Sequence, residues 1–495
     1  MKRFSFYVFI LLSFNIALAD TASGIKNYQL HCASCHGVDR LGGSGLALLP
    51  GNLSRLKKQN AKQVISQGRA ATQMAGFANQ LSESEIDELV EYIYTPVTPA
   101  PVWSDQQITD SHIDYQHSDL SAQPVYEVAD KLNMFIVVEL GDHSASLLDG
   151  DKLEVIHRFK TRPALHGGPK FSSDGRYVYF ASRDGWVSKF DIYNLKMLHE
   201  IRAGINTRNI AISTDGKTVL VGNYLPHNLV VLDADDLSFK NEVKVISGEQ
   251  SSRVSAVYTA PPRNSYIVAL KDIAEIWEIP YASANSAKPV PIRIQADKII
   301  DDFFFSQDYK HLIGGSRDAG KGVVINLDDR KTVSEIELDG IPHLGSGFSF
   351  EHNGGRVLAS QNLRKNEISF IDMRSWEIIK RLETPGPGFF MRSHEKSPYA
   401  MADVFFGEHK EKILVIDKQS LEIIKTLVPA PGKTSAHIEF DRHGQHALVS
   451  VWEDDGALII YDMQTIEEIK RIPMKKPSGK YNIFNKIKFS EGTSH

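Results

Sequence analysis

Cysteine is nearly absent from this chain: its 495 residues contain only Cys32 and Cys35. Two cysteines cannot build the disulfide framework of a small secreted domain, and a structural zinc site would need more Cys or His ligands. The formal net charge is only −5, which gives no reason to expect nucleic acid or an anionic membrane as a partner. Beyond the N-terminal run, no segment is long and apolar enough to span a bilayer, so no membrane anchor is expected.

The N-terminus has the order of features found in a secretory signal. Lys2 and Arg3 precede an apolar run over 4–18, and the run ends in the small-residue sequence Ala-Leu-Ala at 17–19. This pattern predicts a signal peptide over 1–19, cut after Ala19. A retained anchor is the alternative, but the run is short for a membrane span.

Residues 32–36 (Cys-Ala-Ser-Cys-His) spell the covalent haem-attachment sequence of a c-type cytochrome. Two thiols at this spacing can add to the two vinyl groups of one porphyrin, and His36 then becomes the proximal ligand of the iron. The alternative is a chance match with two unused thiols. The motif predicts one covalent haem c on Cys32 and Cys35, and therefore a function in electron transfer.

A small all-α cytochrome c domain is predicted over 20–95. A first helix around 23–31 leads into the haem motif, and Ser82 with Glu85 forms a capping box for a last helix that ends at Tyr94. Met74, in a glycine-containing loop before that helix, is the predicted sixth ligand of the iron, since a thioether is a soft neutral ligand; a core methionine is the alternative. Residues 96–103 form a proline-rich linker.

The remainder of the chain, 104–495, is repetitive. Each repeat is expected to close on a short apolar strand that ends mostly in Asp, and the eight strand ends are 42 to 48 residues apart: Asp149, Asp191, Asp233, Glu278, Asn326, Asp372, Asp417 and Asp462. A period near 45 with several strands in each unit is typical of propeller blades. The fold is therefore predicted to be mainly β, an eight-bladed β-propeller. The final segment, 481–489, is expected to supply a strand that closes the ring.

A cytochrome c domain followed by an eight-bladed propeller resembles the cytochrome cd1 family, whose propeller binds haem d1. The resemblance is carried by residues 164–168 (Ala-Leu-His-Gly-Gly), the stretch 171–177 and residues 182–185 (Ser-Arg-Asp-Gly). It implies that His166 is the proximal ligand of haem d1. It also implies that arginines pair with the carboxylates of the tetrapyrrole, since a guanidinium can grip a carboxylate with two hydrogen bonds; the matching positions are Arg183, Arg208 and Arg253.

The resemblance divides at the residues expected above the tetrapyrrole. Nitrite-reducing members of the family have two histidines there. The place of the first is taken here by Gln361, in the stretch Ala-Ser-Gln-Asn over 359–362, and His394 is a plausible counterpart of the second, with a solvated loop histidine as the alternative. At least one reductase histidine is therefore missing, which puts nitrite reduction in doubt.

Two further departures favour the dehydrogenase branch of the family, which oxidises a propionate of dihydro-haem d1 to the acrylate of haem d1. His437 stands where reductases have a glutamine, and Tyr481 replaces a phenylalanine. On this interpretation His437 is the general base, since a neutral imidazole accepts a proton near pH 7. Tyr481 would accept a second proton or orient the substrate. His343, in a loop with Pro and Gly, resembles a position able to reach the distal face of the iron and is expected to be its second axial ligand.

Three functions stay open from the sequence: the dehydrogenase, a cytochrome cd1-type nitrite reductase, and a non-catalytic carrier of haem d1. Haem attachment together with a signal peptide predicts the periplasm. The expected partners are the tetrapyrrole substrate, a periplasmic electron acceptor, and transient contacts with the cd1 nitrite reductase and other haem d1 assembly proteins. The family branch suggests a monomer.

Overall fold

A computed structural model describes residues 16–43, 45–54, 56–68, 74–316 and 320–488. The chain divides into two compact units, residues 1–101 and 102–495. Residues 1–15, which hold most of the predicted signal peptide, lie outside the described residues. Among the described residues, no helix is long and apolar enough to cross a membrane.

The first unit is helical, as predicted. The haem motif follows directly on its first helix, and Ser82 and Glu85 form the predicted capping box, with both reciprocal hydrogen bonds present. Tyr28, Leu89 and Ile93 are among the buried residues that hold the helices together. The helices are α1 (Ile16–His31), α2 (Ala33–His36), α3 (Lys58–Gln67) and α4 (Glu83–Tyr94).

In the described residues, the second unit is a propeller of eight antiparallel sheets, seven with four strands and one with five, which confirms the predicted fold. Blade 1 contains β2 (Met134–Glu139), β3 (Ser144–Asp149) and β4 (Glu154–Lys160). Blade 2 contains β5 (Lys170–Phe171), β6 (Tyr177–Ala181), β7 (Trp186–Asp191) and β8 (Lys196–Arg202), with β1 (Ile113–Asp114) added at its outer edge. Blade 3 contains β9 (Asn206–Ile212), β10 (Thr218–Leu225), β11 (Asn228–Asp233) and β12 (Phe239–Lys244), and blade 4 contains β15 (Val254–Ala260), β16 (Ser265–Leu270), β17 (Glu275–Pro280) and β18 (Ile292–Gln295).

Blades 5 to 8 repeat the same order from the inner to the outer strand. Blade 5 contains β19 (Asp302–Phe305), β20 (His311–Ser316), β21 (Lys321–Asn326) and β22 (Lys331–Ile336), and blade 6 contains β23 (Phe348–His352), β24 (Gly355–Gln361), β25 (Glu367–Asp372) and β26 (Ile378–Glu383). Blade 7 contains β27 (Met391–Ser393), β28 (Tyr399–Asp403), β29 (Ile413–Asp417) and β30 (Glu422–Leu427). Blade 8 contains β31 (Ser435–Phe440), β32 (His446–Val451), β33 (Gly456–Asp462) and β34 (Glu467–Met474).

The ring is closed by the C-terminal strand β35 (Pro477–Asn482), which pairs with β2 and becomes the inner strand of blade 1. The sequence predicted this closing strand, but placed it over 481–489. The strand begins earlier, and residues from Ile483 onward form a helix; Phe489 lies outside the described residues. The connecting elements are α5 (Asp105–Asp110), the hairpin of β13 (Ile246–Ser247) and β14 (Gln250–Ser251), α6 (Tyr281–Ala284), α7 (Ile483–Lys488), and 3-10 turns at Pro261–Arg263 and Leu344–Ser346.

The repeated Asp positions close the third strand of a blade, not its last strand. At Asp417, for example, Oδ1 accepts the backbone N–H bonds of Gln419 and Ser420 at 3.1 and 2.7 Å, and Leu421 then adopts a left-handed φ of 59°. Side-chain capping of this kind stabilises a tight turn. The fourth strand was missed because it is the outer edge of its blade, as in β30, where exposed and part-buried positions dominate.

Candidate active site

The haem motif of the first unit has the hydrogen bonding expected of an axial histidine. His36 Nδ1 lies 2.7 Å from the carbonyl oxygen of Leu46, so Nδ1–H donates and Nε2 keeps its lone pair. Burial lowers the pKa of His36, which also favours the neutral, ligating form. Gly45 packs directly on the imidazole, since a Cβ there would come within 2.7 Å of the ring.

The thiols and the thioether are placed compatibly with a covalent haem c. Cys32 and Cys35 are unpaired thiols on one turn, and Cys35 is exposed. Cys32, Met74 and Phe77 pack against the same buried cluster of helical residues. These residues therefore fit a haem c attached at Cys32 and Cys35. Axial ligation by His36 and Met74 stays a prediction.

The second unit contains a cavity of about 320 Å³ at which the inner ends of several blades meet. Five of the residues selected from the sequence line it, although they are far apart along the chain: His166, Arg208, His343, His437 and Tyr481. The described lining residues also include Arg392 and Lys486, and no Asp or Glu. The cavity is therefore suited to a ligand with negative charge.

His166 lies between β4 and β5, in the Gly-rich connection predicted from the sequence. Its Nδ1 is 2.7 Å from the carbonyl oxygen of Arg208, and Nη2 of Arg183 is 2.8 Å from Nε2. Nδ1–H therefore donates to the carbonyl, and Nε2 carries the lone pair that accepts from Arg183. An imidazole fixed in this tautomer can offer Nε2 to a metal.

The two arginines near His166 differ in exposure to the cavity. Arg208 lines the cavity and is anchored by a 2.7 Å bond from Nε to the carbonyl oxygen of Ser255. Arg183 does not belong to the lining and reaches the site through His166. Both are therefore placed to act near His166, and their pairing with carboxylates of a ligand stays a prediction.

His343 directly precedes the 3-10 turn that leads into blade 6. Its Nδ1 lies 2.7 Å from the carbonyl oxygen of Phe389, which also accepts the hydroxyl of Ser346 at 2.6 Å. The ring packs on Phe389, with 4.3 Å between centroids. As at His166, a backbone acceptor at Nδ1 leaves Nε2 as the potential ligand atom.

His437 and Tyr481 come from different blades and meet at the cavity. His437 is the extra residue of a β-bulge on β31, with a φ of 51° and a register shift between Ala436 and Ile438; bulges of this kind redirect a side chain. The imidazole lies 5.2 Å from the ring of Tyr481 and 4.7 Å from that of Phe390. Burial raises the pKa of Tyr481, so its hydroxyl keeps its proton at neutral pH.

An aromatic wall formed by Phe389, Phe390 and Trp452 was missed by the sequence reasoning. All three line the cavity, and Trp452 packs on Phe405 with 5.1 Å between centroids. The indole Nε1 of Trp452 is buried and has no hydrogen-bond partner within the described ranges. The Phe pair follows a Pro-Gly turn, which is a turn signal but not one that indicates a ligand site.

Two cationic side chains of the lining were also missed. Arg392 forms a buried ion pair with Glu439, with 3.1 Å between Nη2 and Oε2. Lys486, on α7, lies 5.3 Å above the ring of Tyr481, and burial lowers its pKa well below the ordinary value, with a further lowering by Arg392. Arg392 stands two residues before His394, in the motif that was considered only for its histidine.

Besides Arg183, three residues of the second unit considered in the sequence lie outside the cavity lining. Arg253 is engaged by Asp272, with 2.9 Å between Nε and Oδ2, which favours a structural role; its pairing with a ligand carboxylate stays a prediction. His394 is fully buried, and its Nδ1 accepts the N–H of Lys396; it is therefore not the solvated loop histidine considered as an alternative. Gln361 is buried too and donates to the carbonyl oxygen of Phe390.

Comparison with known proteins identifies the family. Residues 129–486 match the family described as "Cytochrome D1 heme domain". The chain belongs to this family. Within the cytochrome D1 family, the chain is 54% identical over 483 residues to the "Dihydro-heme d1 dehydrogenase" of Pseudomonas aeruginosa, covering 97% of each chain. It is 24% identical to the "Nitrite reductase" of Stutzerimonas stutzeri, covering 92% of this chain and 91% of the relative.

The comparisons also cover the first unit and the three-dimensional structure. Residues 19–93 match the family described as "Cytochrome C oxidase, cbb3-type, subunit III". The solved structure titled "Dihydro-heme d1 dehydrogenase NirN in complex with DHE" is similar to this chain with a TM-score of 0.90 and 54% identity, and covers 94% of this chain and 100% of the other. Both units of this cytochrome D1 family member thus have haem-binding relatives.

Proposed function

We propose that this protein is a dehydrogenase that oxidises one propionate side chain of dihydro-haem d1 to the acrylate of haem d1. The observation that carries the proposal is the contact between His437 and Tyr481 on a cavity lined by cations. The 54% identity to a dihydro-heme d1 dehydrogenase, over 97% of both chains, supports it.

The reaction converts –CH2–CH2–COO⁻ to –CH=CH–COO⁻, so that one C=C bond replaces two C–H bonds and two protons and two electrons leave. A haem c on Cys32 and Cys35 supplies one-electron acceptance. Because it holds one electron at a time, a one-electron redox protein outside the chain completes the balance as terminal acceptor.

His437 is the base that receives one proton from a side-chain carbon, and the second proton leaves to solvent water. A neutral imidazole is suited to this role near pH 7, and the bulge on β31 directs it to the cavity. Tyr481 orients the propionate as a hydrogen-bond donor, because its raised pKa makes a proton-accepting phenolate unfavourable at neutral pH.

The remaining lining residues bind the substrate. His166 and His343 would each bind the iron of the tetrapyrrole through Nε2, since a backbone carbonyl occupies Nδ1 in both. At His166 the iron would then replace the N–H of Arg183 as the partner of Nε2. Arg208, assisted by Arg183, pairs with the carboxylates of the ligand. Arg392 is already paired with Glu439, and the lowered pKa of Lys486 reduces its contribution as a cation.

Nitrite reduction is the less favoured activity, because the residue in the place of a reductase histidine is Gln361, which is buried behind the aromatic wall. Its amide nitrogen donates to the carbonyl oxygen of Phe390, 2.5 Å away. His394, the candidate for the second histidine, does not line the cavity. Neither residue is placed to protonate a small anion on the iron.

The setting of the reaction follows from the N-terminal signal and the haem motif. We place the protein in the periplasm as a monomer, reduced by its substrate and oxidised by a periplasmic redox protein. Transient contacts with the cd1 nitrite reductase and other haem d1 assembly proteins would deliver the product.

The test is anaerobic incubation of the purified, oxidised holoprotein with dihydro-haem d1, followed by extraction and mass spectrometry of the tetrapyrrole. The expected result is loss of two hydrogens with reduction of the haem c absorbance band. His437→Ala should abolish this loss, whereas His443→Ala, at a histidine outside the cavity lining, should retain it. Tight binding without a mass change would support a haem d1 carrier instead, and a nitrite assay on the same sample would detect a reductase.

A further inference from the structure

The backbone at His437 has a conformation that its own side chain disfavours. Its φ of 51° lies in the left-handed region, which is energetically unfavourable for a residue with a Cβ. Such a conformation persists only where the surroundings impose it. The groups that hold the backbone of His437 therefore determine where its imidazole points.

Asp403, at the end of β28, accepts a hydrogen bond from the backbone N–H of His437. Its Oδ2 accepts the backbone N–H of His437 at 3.2 Å, while Oδ1 accepts those of Phe389 and Phe390 at 2.7 and 3.0 Å. The residue is 1% exposed, and burial raises its pKa to about 7. One carboxylate thus connects the bulge to the aromatic wall.

Lys480, on β35, donates a hydrogen bond to the backbone carbonyl of His437. Its ammonium donates to the carbonyl oxygen of His437 and, at 2.8 Å, to Oγ of Ser450. The residue is fully buried, and this burial lowers its pKa well below the ordinary value although the carboxylates of Glu439 and Asp403 oppose the change. Because Lys480 directly precedes Tyr481, the strand that carries the tyrosine also grips the histidine.

We propose that Asp403 and Lys480 are positioning residues for the dehydrogenation: they hold the backbone of His437 on both sides of its Cα, at the N–H and at the carbonyl oxygen, and thereby aim the imidazole at Tyr481 and the substrate. This inference rests on the proposed function of His437. Buried charges contribute little net stability and can often be replaced by apolar side chains. Stability alone is thus a weak reason for a buried carboxyl group at the N–H of His437 and a buried amino group at its carbonyl. Selection of one backbone arrangement at His437 is a sufficient reason.

The test uses Asp403→Asn and Lys480→Met in the full-length holoprotein, separately and together. An asparagine can keep its oxygen on the amides of Phe389 and Phe390, but it then presents an NH2 group to the N–H of His437. A methionine is close to lysine in shape and removes the donor to the His437 carbonyl. Both substitutions therefore act on His437 while they preserve the aromatic wall.

The matched control is Asp191→Asn. Asp191 is equally buried, pairs with Arg176 and accepts the backbone N–H bonds of Tyr193 and Asn194, but lies outside the cavity lining. We expect turnover to fall about 10- to 100-fold in each test variant, with the Kd for dihydro-haem d1 within about threefold of the wild type. The double variant should turn over no more slowly than the slower single variant, because both substitutions act through the backbone conformation of His437.

Crystal structures of the variants provide a readout independent of activity: the imidazole should turn away from Tyr481, or φ of His437 should leave the left-handed region. Turnover equal to that of Asp191→Asn, a change in Kd alone, or an unmoved His437 would each overturn the inference. If Asp403→Asn does not fold, Lys480→Met decides by the same criteria. If the wild-type protein does not dehydrogenate its substrate, the proposed function fails, and the crystal structures alone decide whether the pair positions His437.

Discussion

The rings of His437 and Tyr481 meet edge to face, with 5.2 Å between centroids and 69° between planes. The two residues come from β31 and β35, the inner strands of blades 8 and 1, which are the blades that meet where the propeller ring closes. The pair therefore forms only when the C-terminal strand has paired with β2. Ring closure and assembly of the proposed catalytic pair are one structural event.

Tyr481→Phe should separate orientation of the substrate from its binding. The ring, which fills its place between Gly168 and Gly479, is retained, and only the hydroxyl is lost. We expect turnover of dihydro-haem d1 to fall roughly 100-fold with little change in Kd. Single-turnover absorbance kinetics of haem c reduction measure this, with Tyr461→Phe, at a buried tyrosine of β33, as the control. Wild-type turnover in Tyr481→Phe would remove the hydroxyl from the mechanism.

Gly479→Ala should impair the same step by steric displacement. A Cβ at 479 would lie 2.5 Å from the Tyr481 oxygen and 2.8 Å from the ring, so the phenol must move. Displacement of a catalytic group by about 1 Å can cost on the order of 100-fold in rate. Gly51→Ala, where a Cβ meets no atom within 4 Å, is the control for stability and activity. Equal rates in the two variants would show that the position of Tyr481 is unimportant.

Trp452→Phe should weaken binding of the tetrapyrrole. The buried Nε1–H of Trp452 has no partner in the described part of the chain, so a ligand acceptor would gain one hydrogen bond. We expect Kd to rise about three- to tenfold, as measured by absorbance titration. Trp103→Phe is the contrast, because its Nε1–H already donates to the carbonyl oxygen of Arg202 at 2.8 Å. An unchanged Kd in Trp452→Phe would mean that no ligand group receives this N–H.

Affinity for the carboxylate-rich substrate should fall as the pH rises past about 8. Lys170 is not in the cavity lining, but its Nζ donates to the carbonyl oxygen of the lining residue Gly167 at 3.0 Å. Burial and the neighbouring Arg208 lower the pKa of Lys170 to about 8. Its positive charge is therefore present below that pH and is lost above it, while the ligand carboxylates stay ionised throughout. Lys170→Met should lower affinity at pH 7 and flatten the decrease between pH 7 and 9. The exposed Lys217→Met should keep the wild-type dependence of affinity on pH. If Lys170→Met also kept it, Lys170 would not be the group that titrates near pH 8.

The repeat pattern was sufficient to predict the architecture, because most blades carry the same short sequence signal. Asp149, Asp191, Asp372, Asp417 and Asp462 all cap the turn that follows a buried strand, and such a turn is encoded within a few residues. The outer strands lack this signal, since their alternating polar residues resemble surface loops. The count of eight blades was therefore predicted, whereas the strand that closes each repeat was not.

The site was only partly predictable, for the same physical reason. His166, His343, His437 and Tyr481 were selected by resemblance to a family, and the structure brings all four to one cavity. Lys486 could not be selected in this way, because its side chain reaches the cavity only where the chain turns from β35 into α7. Asp403 ends an ordinary strand of blade 7. Its bond to Phe389 lies within that blade, and its bond to His437 depends on contact with the neighbouring blade 8.

Met74→His should lower the midpoint potential of the haem c. A thioether ligand raises the potential relative to a second imidazole, and Met74 packs with Cys32 in the core of the helical unit. The substitution offers the iron an imidazole at the same place, so the covalent haem should remain attached and its potential should fall. A spectroelectrochemical titration of the purified protein measures the change, with Tyr94→Phe in the same unit as the control. Potentials that agree in the wild type and Met74→His would make Met74 a core residue and leave the sixth ligand to be sought elsewhere.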